Sequence, residues 1–198
     1  MIVTRYLLYI SILYCFCACN RTDTLFVRIF SNHSGISFNN KVTENDSINP
    51  IDAEFLYNGG GVAVGDFNKD GRPDLYFTAS QVFNRMYLNE GDFTFRDITS
   101  QANVSGEGHW CNAASVVVIN NDSWEDIYVC ATISKSQIRR ANLLYINQGL
   151  NTDGLPVFKE MAKEYNLADT GYSVHAAFFD YDRDGDLDMY LVTTTPAL

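Results

Sequence analysis

Short runs of apolar, β-branched and aromatic residues recur along this chain, separated by clusters of Asn, Asp and Gly. Runs of that length bounded by turn residues read as strands, and no stretch sustains the 3.6-residue period of a long helix. Three such segments align without gaps: "GVAVGDFNKDGRPDLYFTA" (Gly61 to Ala79), "AASVVVINNDSWEDIYVCA" (Ala113 to Ala131) and "HAAFFDYDRDGDLDMYLVT" (His175 to Thr193). Asp74, Asp126 and Asp188 then correspond, at offsets of 52 and 62 residues. A second element, "NRMYLNEG" from Asn84 and "NLLYINQG" from Asn142, follows the first two copies, and a third pairs the segments beginning at Phe95 and Phe158.

Each repeat therefore predicts four short strands in about 50 to 60 residues, the strand count and size of a propeller blade. The expected fold class is all-β, a partial β-propeller built of four-stranded antiparallel blades, with about two and a half blades present. The boundaries expected are a signal peptide over 1–19, an N-terminal segment over 20–58, blade 1 over 59–110, blade 2 over 111–172, and the first half of blade 3 over 173–198. "GISFNN" (Gly35 to Asn40) reads as a strand joining the propeller, and "EMAKEYNL" (Glu160 to Leu167) as a single helical turn. Closed propellers need at least four blades, and a chain stopping after the second strand of a blade leaves an edge unpaired. A truncated product or a fragment is the expectation, unless partner chains complete the ring.

The turn between the first two strands of each repeat carries the chemistry. Numbered from Asp66, positions 1, 3, 5, 7 and 9 hold Asp66, Asn68, Asp70, Arg72 and Asp74, with Gly71 at position 6. Numbered from Asp180, the same places hold Asp180, Asp182, Asp184, Asp186 and Asp188, with Gly185 at position 6. Calcium takes six to eight oxygens, and a loop curling around the ion directs alternate side chains inward while position 7 contributes its backbone carbonyl. Arg72 is then no obstacle, and the side chain of Asp186 adds field rather than a ligand. Asn, Asp and Gly also dominate ordinary solvated turns. A turn needs only two or three of them, however, and four close aspartates without a counter-ion repel one another. An EF-hand is disfavoured, because position 12 is Phe77 or Leu191 instead of Glu and the exits read as strands. The middle copy keeps only Asn120, Asp122 and Asp126 as ligand types, with Val118 at position 1 and Ser123 at position 6. It reads as a structural hairpin with a degenerate site.

Charge and the N-terminus narrow the setting. Lys and Arg total 14 against 24 Asp and Glu, a net charge of -10, so the basic footprint of a nucleic-acid binder is missing. The first residues carry one early positive charge, Arg5, and an apolar run from Tyr6 to Ala18 that is too short to span a bilayer, the layout of a secretory signal. The run ends in "FCACN", which resembles the lipobox of bacterial lipoproteins with Cys19 as the lipid-modified residue, although Phe16 stands where Leu is usual. An ordinary cleaved signal is the other reading, and both export the chain. Cys111 and Cys130 then remain in the folded part, either as a disulfide or as two buried thiols.

"GVAVGDFNKDGRPDLYF" and "AAFFDYDRDGDLDMYLV" resemble FG-GAP or VCBS-type repeats, as in integrin α-chain propellers. Together with "FLYNGGGVAVGD", "NRMYLNEGDFTFRDIT" and "SGISFNN", they resemble more closely bacterial exported proteins of the cartilage-acidic-protein and ASPIC/UnbV type. The resemblance covers roughly residues 34 to 195. It implies a calcium-bearing β-propeller, typically seven-bladed, outside the cytoplasm. The expected function is a calcium-binding, non-catalytic module of a lipid-anchored bacterial envelope protein, either at the outer membrane or on the cell surface, that binds a protein or glycan. The alternative is part of a polysaccharide-processing enzyme. His33, His109 and His175 are the only histidines, there is no G-x-S-x-G, and no pair has a defined catalytic spacing. "GEGHW" (Gly106 to Trp110) reads as a blade-entry loop.

Overall fold

The computed structural model describes residues 25–46, 48–51, 56–134 and 136–195. The expected signal segment and Cys19 lie outside them. Among the described residues ten strands form in chain order: β1 Val62–Gly65, β2 Asp74–Phe77, β3 Arg85–Gly91, β4 Thr94–Asp97, β5 Cys111–Val117, β6 Asp126–Ala131, β7 Leu143–Leu150, β8 Pro156–Glu160, β9 Tyr172–Phe179 and β10 Asp188–Thr194. They build two four-stranded sheets in sequential order, β1-β2-β3-β4 and β5-β6-β7-β8, and a two-stranded sheet of β9 and β10. Neighbouring strands are antiparallel throughout, with Gly65 opposite Asp74, Val117 opposite Asp126 and Phe179 opposite Asp188 at the three acidic turns. The fold is all-β, two complete blades and a half.

The blades stack face to face, and strand periodicity decides which side chain meets which neighbour. On β6, Ile127 and Val129 join Phe67, Tyr76 and Met86 of the first blade in one core, while Tyr128 and Cys130 join Ala176 in a second. β6 is therefore buried at every position. That explains why "DIYVCA" is a nearly continuous apolar run while the residues of β10, covered on one face, alternate. Each fully buried Val, Ile, Phe or Met side chain contributes about 1.5–3 kcal/mol. Cys111 lies in the first core and Cys130 in the second, so the two thiols sit on opposite faces of one sheet and are unpaired. Burial pushes both up to about 12, which keeps them protonated.

A polar network repeats with the blades. Asn84 donates to the Tyr76 hydroxyl at 2.8 Å and accepts the Ala79 N–H at 2.8 Å, while Tyr76 donates to the Val104 carbonyl at 2.8 Å. Asn142, Tyr128, Ala131 and Leu167 repeat it. Each Asn also reaches the next sheet, Asn84 at Cys111 Sγ and Asn142 at Ser173 Oγ. The corresponding Tyr190 on β10 is 65% exposed, against 0% for Tyr76 and Tyr128.

One expectation for the irregular segments needs correction. Residues 35–44 form no strand; they run across the outer face of blade 1, with Phe38 stacked on Phe77 at 5.1 Å and Asn40 accepting the Ser80 N–H at 2.9 Å. The short strand β2 supplies an aromatic face rather than a free edge, so side-chain packing replaces ladder pairing. Residues 162–166 are hydrogen-bonded turns in which the Tyr165 N–H donates to the Met161 carbonyl at 3.2 Å, a single helical turn at the place that corresponds to the short helix Thr99–Ala102 of blade 1. "GEGHW" is the entry to β5: the Cys111 N–H donates to the Ala79 carbonyl and Trp110 is half-buried, its carbonyl accepting from Thr132.

Candidate cation loops

The three acidic turns share one backbone. Position 4 takes a left-handed conformation in each, at Lys69 (φ 58), Asn121 (φ 58) and Arg183 (φ 64), and so does position 6, at Gly71 (φ 82), Ser123 (φ 67) and Gly185 (φ 96). The glycines at position 6 adopt that region without the steric cost a side chain incurs, while Ser123 holds it as a non-glycine residue.

In the first loop the carboxylate of Asp66 accepts the Asp70 N–H at 3.0 Å and the Gly71 N–H at 2.8 Å, so the chain curls around the position-1 side chain. Asn68 Nδ2 donates to Asp70 Oδ2 at 2.8 Å, and the Arg72 guanidinium pairs with the same oxygen at 2.6 Å. Partial burial opposes ionisation of Asp70, but Asn68 and the backbone and side chain of Arg72 outweigh it and hold the carboxyl below its ordinary value.

Asp74 differs from the other four. It is wholly buried, with one oxygen accepting the Phe67 N–H at 3.1 Å and the other the Asn89 N–H at 2.8 Å. Burial raises its pKa to about 6 despite both hydrogen bonds, with the Asp70 and Asp66 charges adding to the rise. Asp126 repeats the arrangement, wholly buried between the Ile119 N–H at 3.0 Å and the Asn147 N–H at 2.8 Å, and burial likewise raises it to about 6. The position-9 aspartate thus staples the start of its own turn to the third strand of its blade. Spacing alone marked it as one more ligand position and did not separate this second job. The signal was present in the shared "NEG" and "NQG": Asn89 and Asn147 each donate from Nδ2 to the carbonyl before the staple, at Pro73 and Glu125, and each accepts from the glycine two residues on.

The third loop is open. All five of its aspartates are exposed. Asp180 accepts the Gly185 N–H at 3.2 Å, Asp182 the Asp184 N–H at 3.3 Å, Asp184 the Asp186 N–H at 3.1 Å and Asp188 the Tyr181 N–H at 2.9 Å. Carboxylate oxygens of Asp180, Asp182 and Asp188 lie within 4.8 Å of one another. A cation held at 2.3–2.6 Å spans such separations. The Asp186 N–H and side chain hold Asp184 below its ordinary value, and the Asp184 carboxylate in turn raises Asp186. Asn120 and Asp122 of the middle loop hydrogen-bond to each other at 2.8 Å, and Asp122 accepts the Trp124 N–H at 2.8 Å.

A model of the FG-GAP-like repeat matches residues 66–129 and again 119–191, together more than half of the 198-residue chain. The chain belongs to the FG-GAP-like repeat family. No curated protein matches it. Each FG-GAP-like match begins on or beside an acidic turn and ends in the second strand of the following sheet, so the family unit straddles the packing between two blades.

Proposed function

We propose that the chain is a calcium-stabilised, non-catalytic FG-GAP-like interaction module. The reading rests on one observation above all: three carboxylate-bearing positions of the third loop bring oxygens within 4.8 Å of one another, on a backbone that the first loop repeats. Every donor there is oxygen, which suits a hard cation of calcium's size. Asp180, Asp182, Asp184 and Asp188 with the Asp186 carbonyl would hold one ion. Asp66, Asn68, Asp70 and Asp74 with the Arg72 carbonyl would hold another. The ion supplies positive charge that relieves repulsion among the aspartates and ties the two strands of a hairpin together. Asn120, Asp122 and Asp126 serve as a structural turn.

His33, His109 and His175 sit on three separate elements, with His33 and His109 bonded to the backbone carbonyls of Asp92 and Glu107. That arrangement favours a binding module over the polysaccharide-processing alternative. Its partner would be a protein or glycan, and its setting the bacterial envelope, with the lipid anchor at Cys19 and a relationship to ASPIC/UnbV-type proteins resting on the sequence motifs. A glycan array and a hydrolysis screen separate binding from turnover. The decisive test of the calcium reading is a melt with and without the ion. Calcium at about 100 times its Kd stabilises by about 2.7 kcal/mol, or about 5–10 °C for a chain of this size. Asp184→Ala and Asp70→Ala each reduce that shift. A melt indifferent to calcium in the parent chain would refute the reading.

A further inference from the structure

Positions 6, 7 and 8 of the middle loop are Ser123, Trp124 and Glu125, where the other copies have Gly71-Arg72-Pro73 and Gly185-Asp186-Leu187. All three of these side chains rest on the first loop. Glu125 Oε2 accepts the Asp66 N–H at 2.5 Å. Lys69 Nζ donates to Ser123 Oγ at 2.9 Å and lies 4.0 Å from the centroid of the Trp124 ring. Asn147, on the same blade, adds a bond from Nδ2 to the Phe67 carbonyl at 3.0 Å. Trp124 is itself backed by Gly149, whose missing side chain leaves the ring atoms 3.6 Å from where a Cβ would stand.

We propose that the middle loop, lacking a first ligand of its own, is a clamp for the neighbouring cation loop, with Glu125 and Trp124 as positioning residues for the site built on Asp66. The proposal rests on the calcium reading of that loop. Glu125 fixes the backbone of the residue that provides the first ligand, leaving both oxygens of Asp66 free of that task. Lys69 stands at position 4, within the curl of the loop. Its ammonium would oppose a cation there, and the Trp124 face and Ser123 hydroxyl draw it onto blade 2 instead. Preorganising a site in this way strengthens binding without adding a ligand. By linkage, an ion in the first loop must tighten the docking of blade 1 on blade 2 by the same factor.

The test uses the full chain and calcium alone, titrated calorimetrically, with Asp182→Asn assigning the third-loop site. Glu125→Ala is expected to weaken the first loop by about tenfold, the loss of one charge-assisted hydrogen bond, and to leave the third loop unchanged. Glu125→Gln, which keeps an oxygen acceptor, should recover most of the affinity, and Trp124→Leu should weaken the same site alone. In the calcium-free protein, Glu125→Ala should also speed hydrogen exchange at the Asp66 amide. Unchanged first-loop affinity in Glu125→Ala overturns the clamp, as does Glu125→Gln proving as damaging as Glu125→Ala, or equal weakening of both loops. Uptake at neither loop in the parent chain overturns the calcium reading, and the clamp with it.

Discussion

The first and third acidic loops share a backbone and differ in their surroundings. Asp66–Asp74 lies against blade 2, carries its own cation on Asp70, and closes on a wholly buried aspartate. Asp180–Asp188 has five exposed aspartates, and among the described residues no ion pair reaches them. The same turn is thus held by protein contacts in one place and left to its own repulsion in the other. The contrast separates two roles that the alternating aspartates merge: fastening a hairpin and, in the function proposed above, holding an ion.

Replacing the position-9 residue should split the two loops most widely. Asp74→Ala leaves the Phe67 and Asn89 N–H groups without their acceptor and should cost about 2–5 kcal/mol in calcium-free denaturant melts. Asp188→Ala, at an exposed position, should cost less than about 1 kcal/mol in the same melt while removing the calcium response. Equal costs would erase the distinction.

Acidity offers the next probe, at Asp126, where the staple exists without a complete ligand set. Its pKa is raised from 3.8 to about 6 in the folded chain. The folded state therefore holds this proton more tightly than the unfolded state. The resulting stability is fully present below about pH 4 and is lost as the pH rises through about 6. Calcium-free melts across that window should follow this slope, and Asp126→Asn should flatten it whatever its effect on absolute stability.

Smaller effects should follow from the turn glycines and from Arg72. A Cβ at Gly71 or Gly185 meets nothing within 4 Å, so Gly71→Ala and Gly185→Ala should cost only the left-handed backbone penalty, about 1–2 kcal/mol in either loop. Arg72→Ala removes the cation from Asp70 and makes the first loop resemble the third. Because the pair is exposed, stability should change by under about 1 kcal/mol, with a few-fold tighter calcium affinity at the first loop.

Much of this architecture was legible in the sequence because strand alternation and turn residues are local. The repeats placed the four strands of each complete blade and the hairpins carrying the aspartates. What stayed hidden depended on partners far along the chain. Asp74 becomes a staple through Asn89, 15 residues on, and the first loop meets Glu125 and Ser123 across 59 and 54 residues. Ser123 of the middle copy read as decay of a site, since the lysine that uses its hydroxyl lies in the preceding repeat. Phe38 likewise looked like part of a strand because an apolar residue among polar ones fits either a ladder or a stacking contact.

The staple gives longer arrays of such repeats a simple grammar. An aspartate at position 9 is present in all three copies here, whereas an acid at position 1 is present in two. The first staples the hairpin in the two complete blades, and the second, on the calcium reading proposed above, marks a hairpin that also holds an ion. Counting one down a gene estimates how many blades were built, and counting the other estimates how many of them the proposed calcium sites would fasten.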